Sequence, residues 1–366
     1  MGQKLSVSIW TSKSSSVNYQ HLLPWNIDLL YQPLDIIKEI SDHLEPDSAV
    51  ALAITCKAFN LYLSPVAFRR LRQAEQAVKE AAIEMIERDI GNRYHYCALC
   101  DDFHRWSSSW NFSKAPAGVD AVHIPECSEP TGRGCGLRPF RVCMFDSPQD
   151  ITYSHCRLVM NRHFHGPSRG LPVSSLEVEE HDTCVANSLD PVHPRGCSFD
   201  HRRSWKAKII NDELYVACTL TVDEYGPVLR HWSGLDMGSQ RFARWLLNRI
   251  CNHGPILWTE HGMFWRVFPR MIATSFMDTP MMVSVKMRGY CRYCLTDYDA
   301  SVCFREGKAC TAKITSYHQL GNFRSCRDWK WANAFQCPSR IRQDYTMYIR
   351  HGLYAPDIVR KRWAWS

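Results

Sequence analysis

The sequence predicts an α+β protein. A small helical module and a long connecting helix come first, followed by a larger domain of mixed helices and strands stabilised by zinc. Three observations carry this. Apolar residues recur at steps of three and four up to about residue 90, the period of a helix face. Runs rich in β-branched and aromatic residues lie beyond residue 140. Two Cys-x-x-Cys pairs, Cys97/Cys100 and Cys291/Cys294, have the spacing of metal-binding thiolates. The expected divisions are a flexible tail over 1–28, a helical module over 29–62, a connecting helix over 63–92 and a mixed α+β domain over 93–366.

With 366 residues, 45% hydrophobic and 12% aromatic content and 13 Trp, the chain can bury a substantial core, which excludes a disordered protein. No apolar run reaches the length of about eighteen residues that a membrane-spanning helix needs. The first residues lack the apolar centre of a secretory signal, so an intracellular, reducing location is expected, cytoplasmic or nuclear. Seventeen cysteines, an odd number, then read as buried thiols or metal ligands rather than disulfides. The net charge of +7 is spread along the chain and selects no partner.

The Ser-rich start reads as a tail, and its Gly2 with Ser6 fits the N-myristoylation pattern. One such chain gives only weak, reversible membrane contact. Next, Leu34, Ile37, Ile40 and Leu44 share a helix face, and Pro33 suits the first turn. Asp35 and Glu39 oppose the helix dipole, and Glu45-Pro46 closes the helix. Asp47 is the expected cap of a second helix carrying Val50, Leu52, Ala53, Ile54, Ala58 and Phe59. That apolar band is wider than a two-helix contact can hide, so other parts of the chain or a second protein must cover it.

The segments Pro33-Leu-Asp-Ile-Ile37, Leu44-Glu-Pro-Asp47 and Thr55-Cys-Lys-Ala-Phe59 resemble an F-box. The chain beyond is similar to the large F-box family of filamentous fungi, though Gln32 stands where many F-boxes have Leu. The resemblance implies a substrate-receptor subunit of a Skp–cullin–F-box ubiquitin ligase. Pro33, Leu34, Ile37, Leu52, Cys56, Lys57 and Phe59 would meet the Skp-type adaptor, and the larger domain would hold a protein target.

Ser64-Pro65 then predicts a helix start, with Phe68, Leu71, Val78, Ala82 and Met85 on one stripe and Gly91 at the end. Residues 111–136 and 166–200, rich in Pro, Gly and Ser, read as long loops. Strands are expected at Phe140 to Phe145, Ile151 to Met160, Trp205 to Ile210 and Leu214 to Val222, the last two joined at Asn211-Asp212-Glu213. Arg241 to Cys251 reads as a helix.

Two residues between cysteines let a tight turn aim both sulfurs at one zinc, about 2.3 Å away. For the first pair His104 is the third candidate, and Cys135 is preferred to Cys127 and Cys143 because Gly134 and Gly136 free its backbone. For the second pair the candidates are Cys251 and His253, with Cys303 and Cys310 competing. The fungal family shows a similar Cys-x-His ahead of a Cys-x-x-Cys-x-Thr-Asp-Tyr segment, here Cys291 to Tyr298. Sites closed by four ligands are structural.

No phosphate-binding glycine loop, His-Glu-x-x-His helix or nucleophile elbow occurs, so a non-catalytic protein is expected. A zinc enzyme with an open metal position is one alternative. The other is a nucleic-acid binder using Arg360, Lys361 and Arg362 beside Trp363 and Trp365, with Arg69, Arg70 and Arg72. The plainer reading of both basic runs is a solvated face, and no nucleic acid is expected.

Overall fold

A computed structural model of the chain describes residues 32–97, 102–107, 151–185, 198–225, 250–251, 253, 258–259, 262–263, 283–291, 293–304, 310–325, 328–335 and 355–366. The expected tail, the 111–136 loop, the Phe140 to Phe145 strand and most of the Arg241 to Cys251 helix lie outside these residues. The chain divides into two compact units, Met1–Arg105 and Trp106–Ser366.

The first unit contains α1 (Leu34–His43), α2 (Pro46–Ile54), α3 (Lys57–Gln73), α4 (Gln76–Ile90) and a hairpin of β1 (Tyr94–Cys97) with β2 (Asp102–Arg105). Pro46 occupies the first position of α2 and Glu45 the cap, two residues earlier than the expected cap at Asp47. The band around Phe59 is split: Cys56 turns the chain, and its sulfur accepts the Phe59 N–H at 3.4 Å to start α3. Pro65 lies inside α3 instead of opening a helix, and the break falls at Ala74-Glu75. Phe59, Leu63, Ala67 and Leu71 pack inward with Ile37, Val50, Ala53, Ala82 and Ile86. Each large apolar side chain buried this way contributes roughly 1.5–3 kcal/mol. Arg70 fixes the end of α1, donating to the Ser41 carbonyl at 2.8 Å and the Leu44 carbonyl at 2.6 Å.

The second unit is built on one antiparallel sheet of eight strands. They are β3 (Val178–Val185), β4 (Ser198–Ile210), β5 (Glu213–Tyr225), β6 (Trp258–Thr259), β7 (Gly262–Met263), β8 (Val283–Tyr290), β9 (Thr296–Phe304) and β10 (Cys310–Gly321). Their order across the sheet is β3-β4-β5-β10-β9-β8-β6-β7. Asn211 and Asp212 sit at φ of 51° and 60°, the left-handed pair that joins β4 to β5 in a two-residue turn.

Two expectations are corrected. Ile151 to Met160 is mostly helix, α5 (Tyr153–His165), capped by the Thr152 hydroxyl accepting the His155 N–H at 3.2 Å. The 166–200 segment holds β3 and the start of β4 in addition to turns.

One sheet face is buried, with Trp205, Val216, Leu220, Ile314, Tyr298 and Ala300 among its residues. Tyr153 of α5 packs there with Phe323 and with Trp331 of α6 (Trp329–Phe335). Buried Arg157 donates to the carbonyls of Phe323 at 3.0 Å and Arg324 at 3.1 Å. These bonds help hold Phe323 in the left-handed region, at φ 58°. The opposite face is polar and is covered at one end by α7 (Ile358–Trp365), where Val359 packs with Tyr215 and Leu295.

Candidate metal centre

The β8–β9 turn builds half of a metal cradle. Cys291 follows β8 directly, and Cys294 is separated from β9 by Leu295 alone. The Cys291 N–H donates to the Thr296 carbonyl at 2.8 Å, and the Thr296 N–H to the Cys294 carbonyl at 2.7 Å. This short ladder turns both sulfurs to one side. The Tyr293 N–H points at the Cys291 sulfur from 3.4 Å, the kind of donor that supports a thiolate.

Cys251 and His253 supply the other half. The four ligand atoms of Cys251, His253, Cys291 and Cys294 all lie within 4.8 Å of one another, and all four residues are buried. A tetrahedron with Zn–S bonds of about 2.3 Å places its sulfurs about 3.8 Å apart, so the group fits a divalent ion. Neither ring nitrogen of His253 has a hydrogen-bond partner, although the residue is fully buried. A buried imidazole without partners is costly, and a cation between it and three sulfurs removes that cost. The His253 ring stacks on Tyr293 with centroids 5.6 Å apart, which sets its plane.

The electrostatics point the same way. Burial, then the neighbouring Cys291 and Cys294 sulfurs, pushes the Cys251 thiol well above its ordinary value. Burial likewise raises Cys294. At Cys291 burial is outweighed by its contacts with Cys251, Cys294 and His253, and its thiol is held well below the usual range. Burial opposes charge on His253, yet the Cys294 and Cys291 sulfurs lift it to about 11. A bound cation reverses this: thiolates replace thiols, the imidazole is neutral, and protons leave as the ion enters.

A second layer orients the cysteines. The Thr296 hydroxyl lies 3.1 Å from the Cys294 sulfur and 3.0 Å from His318 Nδ1, and His318 Nε2 lies 2.8 Å from the Ser316 hydroxyl. Burial lowers His318 to about 3, so its ring is neutral and one of its nitrogens can accept.

The expected second-pair residues therefore come together, while Cys303 lies elsewhere on β9. The first-pair expectation fares differently. Cys97 and His104 belong to the β1–β2 hairpin of the N-terminal unit, which extends to Arg105 and so past the expected boundary at 93. Cys97 opposes Asp102 and His104 opposes His95, and these residues form no metal-binding group among the described residues. Cys100, Cys135 and Gly2 lie outside the described residues. His95, fully buried and paired with His104, is a residue the Cys-centred reading passed over. Its only signal was its alternation with Cys97.

Of the residues expected at an adaptor surface, Pro33, Leu34 and Lys57 are exposed and Leu52 and Cys56 half-buried. Ile37 and Phe59 occupy core positions of the helical unit, at 1% and 6% exposure. Sequence reasoning missed Ile36, Leu61, Tyr62 and Val66, which are exposed together with Ile40. The Ile36/Ile40 and Tyr62/Val66 pairs at i, i+4 were the available signal.

The basic C-terminal run is engaged within its own unit. Arg360 reaches Asp299 at 2.6 Å, and Arg362 reaches Tyr215 at 3.3 Å and Gln319 at 3.4 Å. Among the described residues no helix is long and apolar enough to cross a membrane. No family model, curated protein or solved structure matches the chain.

Proposed function

We propose that this chain is a non-catalytic substrate receptor of a Skp–cullin–F-box ubiquitin ligase, with zinc as a structural ion in the Cys251/His253/Cys291/Cys294 group. One observation carries the ligase reading. Leu34, Ile36 and Ile40 on α1 and Leu61, Tyr62 and Val66 on α3 stay 39% or more exposed in a helical unit that has a full core without them. Exposed apolar residues grouped on short helices mark a surface that another protein covers. The F-box resemblance names that protein as a Skp-type adaptor.

Zinc is favoured by the donor set, since three thiolates and an imidazole suit a tetrahedral, borderline-soft ion. With four protein ligands no position is left for water or substrate, so the ion holds the fold and does not activate a nucleophile.

The test is capture of a purified Skp-type adaptor by wild-type protein and by an Ile36→Asp/Leu61→Asp variant. Wild type should retain adaptor and the variant should not, with both showing the same cooperative unfolding. Equal capture by a folded variant refutes the adaptor surface.

A further inference from the structure

The polar face of the eight-stranded sheet carries a row of cations that the metal centre does not use. Cross-strand register aligns Arg202 on β4 with Thr221 on β5, Thr221 with Lys313 on β10, Lys313 with Ser301 on β9, and Ser301 with Lys286 on β8. Opposed residues in antiparallel strands share a face, so the row runs straight across five strands as cation, hydroxyl, cation, hydroxyl, cation. Arg202, Lys313 and Lys286 are exposed, and Arg288 lies in the adjacent row.

The carboxylates of this face are largely occupied. Asp223 accepts from Arg202 at 3.3 Å and from Thr311 at 2.7 Å. Asp299 takes Arg360 at 2.6 Å and Arg288 at 3.5 Å. Lys313 and Lys286 therefore project ammonium groups from a surface whose neighbouring acids, Asp223 and Asp299, already serve other cations. The α7 helix covers the end of the face at Tyr215, Tyr317 and Asp297, while Arg202, Lys313 and Lys286 stay exposed.

We propose that this row binds an extended acidic segment of another protein, laid across the strands. Neighbouring strands are about 4.8 Å apart, so cations on alternate strands recur roughly every 9.6 Å. In the polyproline II conformation an extended chain rises about 3.1 Å per residue with three residues per turn, so glutamate or aspartate at every third position lies on one side, about 9.3 Å apart, and meets Arg202, Lys313 and Lys286 in turn. The intervening Thr221 and Ser301 hydroxyls can bond backbone groups of the segment. A nucleic-acid strand is disfavoured, because the row presents hydroxyls where stacking would require aromatic rings, and Asp223 and Asp299 flank it. The proposal leans on the ligase reading only in regarding such a segment as a ligase target. Binding is measured without adaptor, so the two ideas fail separately.

The experiment is fluorescence anisotropy on the full-length protein with three labelled probes: a peptide with Glu at every third position, its Gln counterpart, and oligothymidylate. The Glu peptide should bind, the Gln peptide should not, and affinity should fall as salt rises. Lys313→Glu/Lys286→Glu should weaken binding about tenfold or more, and Lys313→Ala/Lys286→Ala by less, with unfolding transitions unchanged. No binding of the Glu peptide, equal binding by folded Lys313→Glu/Lys286→Glu protein, or tighter binding of oligothymidylate each overturns the proposal.

Discussion

The Asp297 carboxylate accepts the Val359 N–H at 2.9 Å, so a fully buried acid at the start of β9 caps a helix sixty-two positions later in the chain. Its two oxygens also accept the N–H groups of Asp357 at 3.2 Å and Arg360 at 3.0 Å. Asp357 itself lies at φ 70° and makes no side-chain cap, so the sheet supplies the cap that α7 lacks. The negative charge also faces the positive end of the helix dipole.

Replacing Asp297 by Ala should therefore destabilise the second unit by about 1.5–3 kcal/mol, the scale of a hydrogen-bonded buried charge. Hydrogen exchange at the Val359 and Arg360 amides should rise before global unfolding. Unchanged protection at these amides would show that α7 is held by its apolar contacts alone.

Purified protein should carry about one zinc for the Cys251/His253/Cys291/Cys294 group. Mass spectrometry of native protein measures this directly. Cys294→Ser should lower metal content and the thermal midpoint, and a chelator should lower the wild-type midpoint but leave that of the metal-free variant. Loading at neutral pH should release protons, since three thiolates and a neutral imidazole replace a protonated group.

The two isoleucines at neighbouring positions of α1 should behave in opposite ways. Ile37→Ala removes a side chain only 1% exposed in the helical core and should cost about 2–5 kcal/mol. Ile36→Ala changes a side chain 48% exposed and should stay within about 0.5 kcal/mol of wild type. Chemical unfolding of both separates packing from the surface property on which adaptor capture depends.

Burial lowers His155 from 6.5 to about 4, while its Nδ1 lies 2.8 Å from the Thr152 hydroxyl. The folded state disfavours the charged ring, so the unfolded chain binds the proton more readily. The stability this neutral ring contributes is complete above about 6.5 and is lost as pH falls towards about 4. A His155→Gln variant should show a shallower decline in unfolding free energy over that interval. An unaltered slope would exclude His155 as a source of acid sensitivity.

What the sequence disclosed depended on whether the signal was local. The β4–β5 hairpin was legible because Asn211-Asp212 is one of the few pairs that tolerate two left-handed residues. The second Cys pair was legible because its turn is complete within Cys291 to Thr296. Its partners Cys251 and His253 needed the family pattern, since nothing local brings distant segments together. The misread elements were decided by packing. Ile151 to Met160 has β-forming side chains, but the Thr152 cap and a nearly fully buried stretch from Cys156 to Asn161 make it helical. The β3 strand looked like a loop because its Glu179, His181 and Thr183 face solvent at the sheet edge. Pro65 suggested a helix start, but Leu63, Ala67 and Leu71 carry one buried stripe through it, and tertiary burial overrode propensity.

The two halves of the metal cradle come from segments that bracket β6, β7 and β8. An ion held there clasps that stretch into a ring, closed without any covalent link and released by a chelator. While the clasp holds, a protease nick between His253 and Cys291 leaves the pieces joined, and the same nick after metal removal frees one border of the sheet.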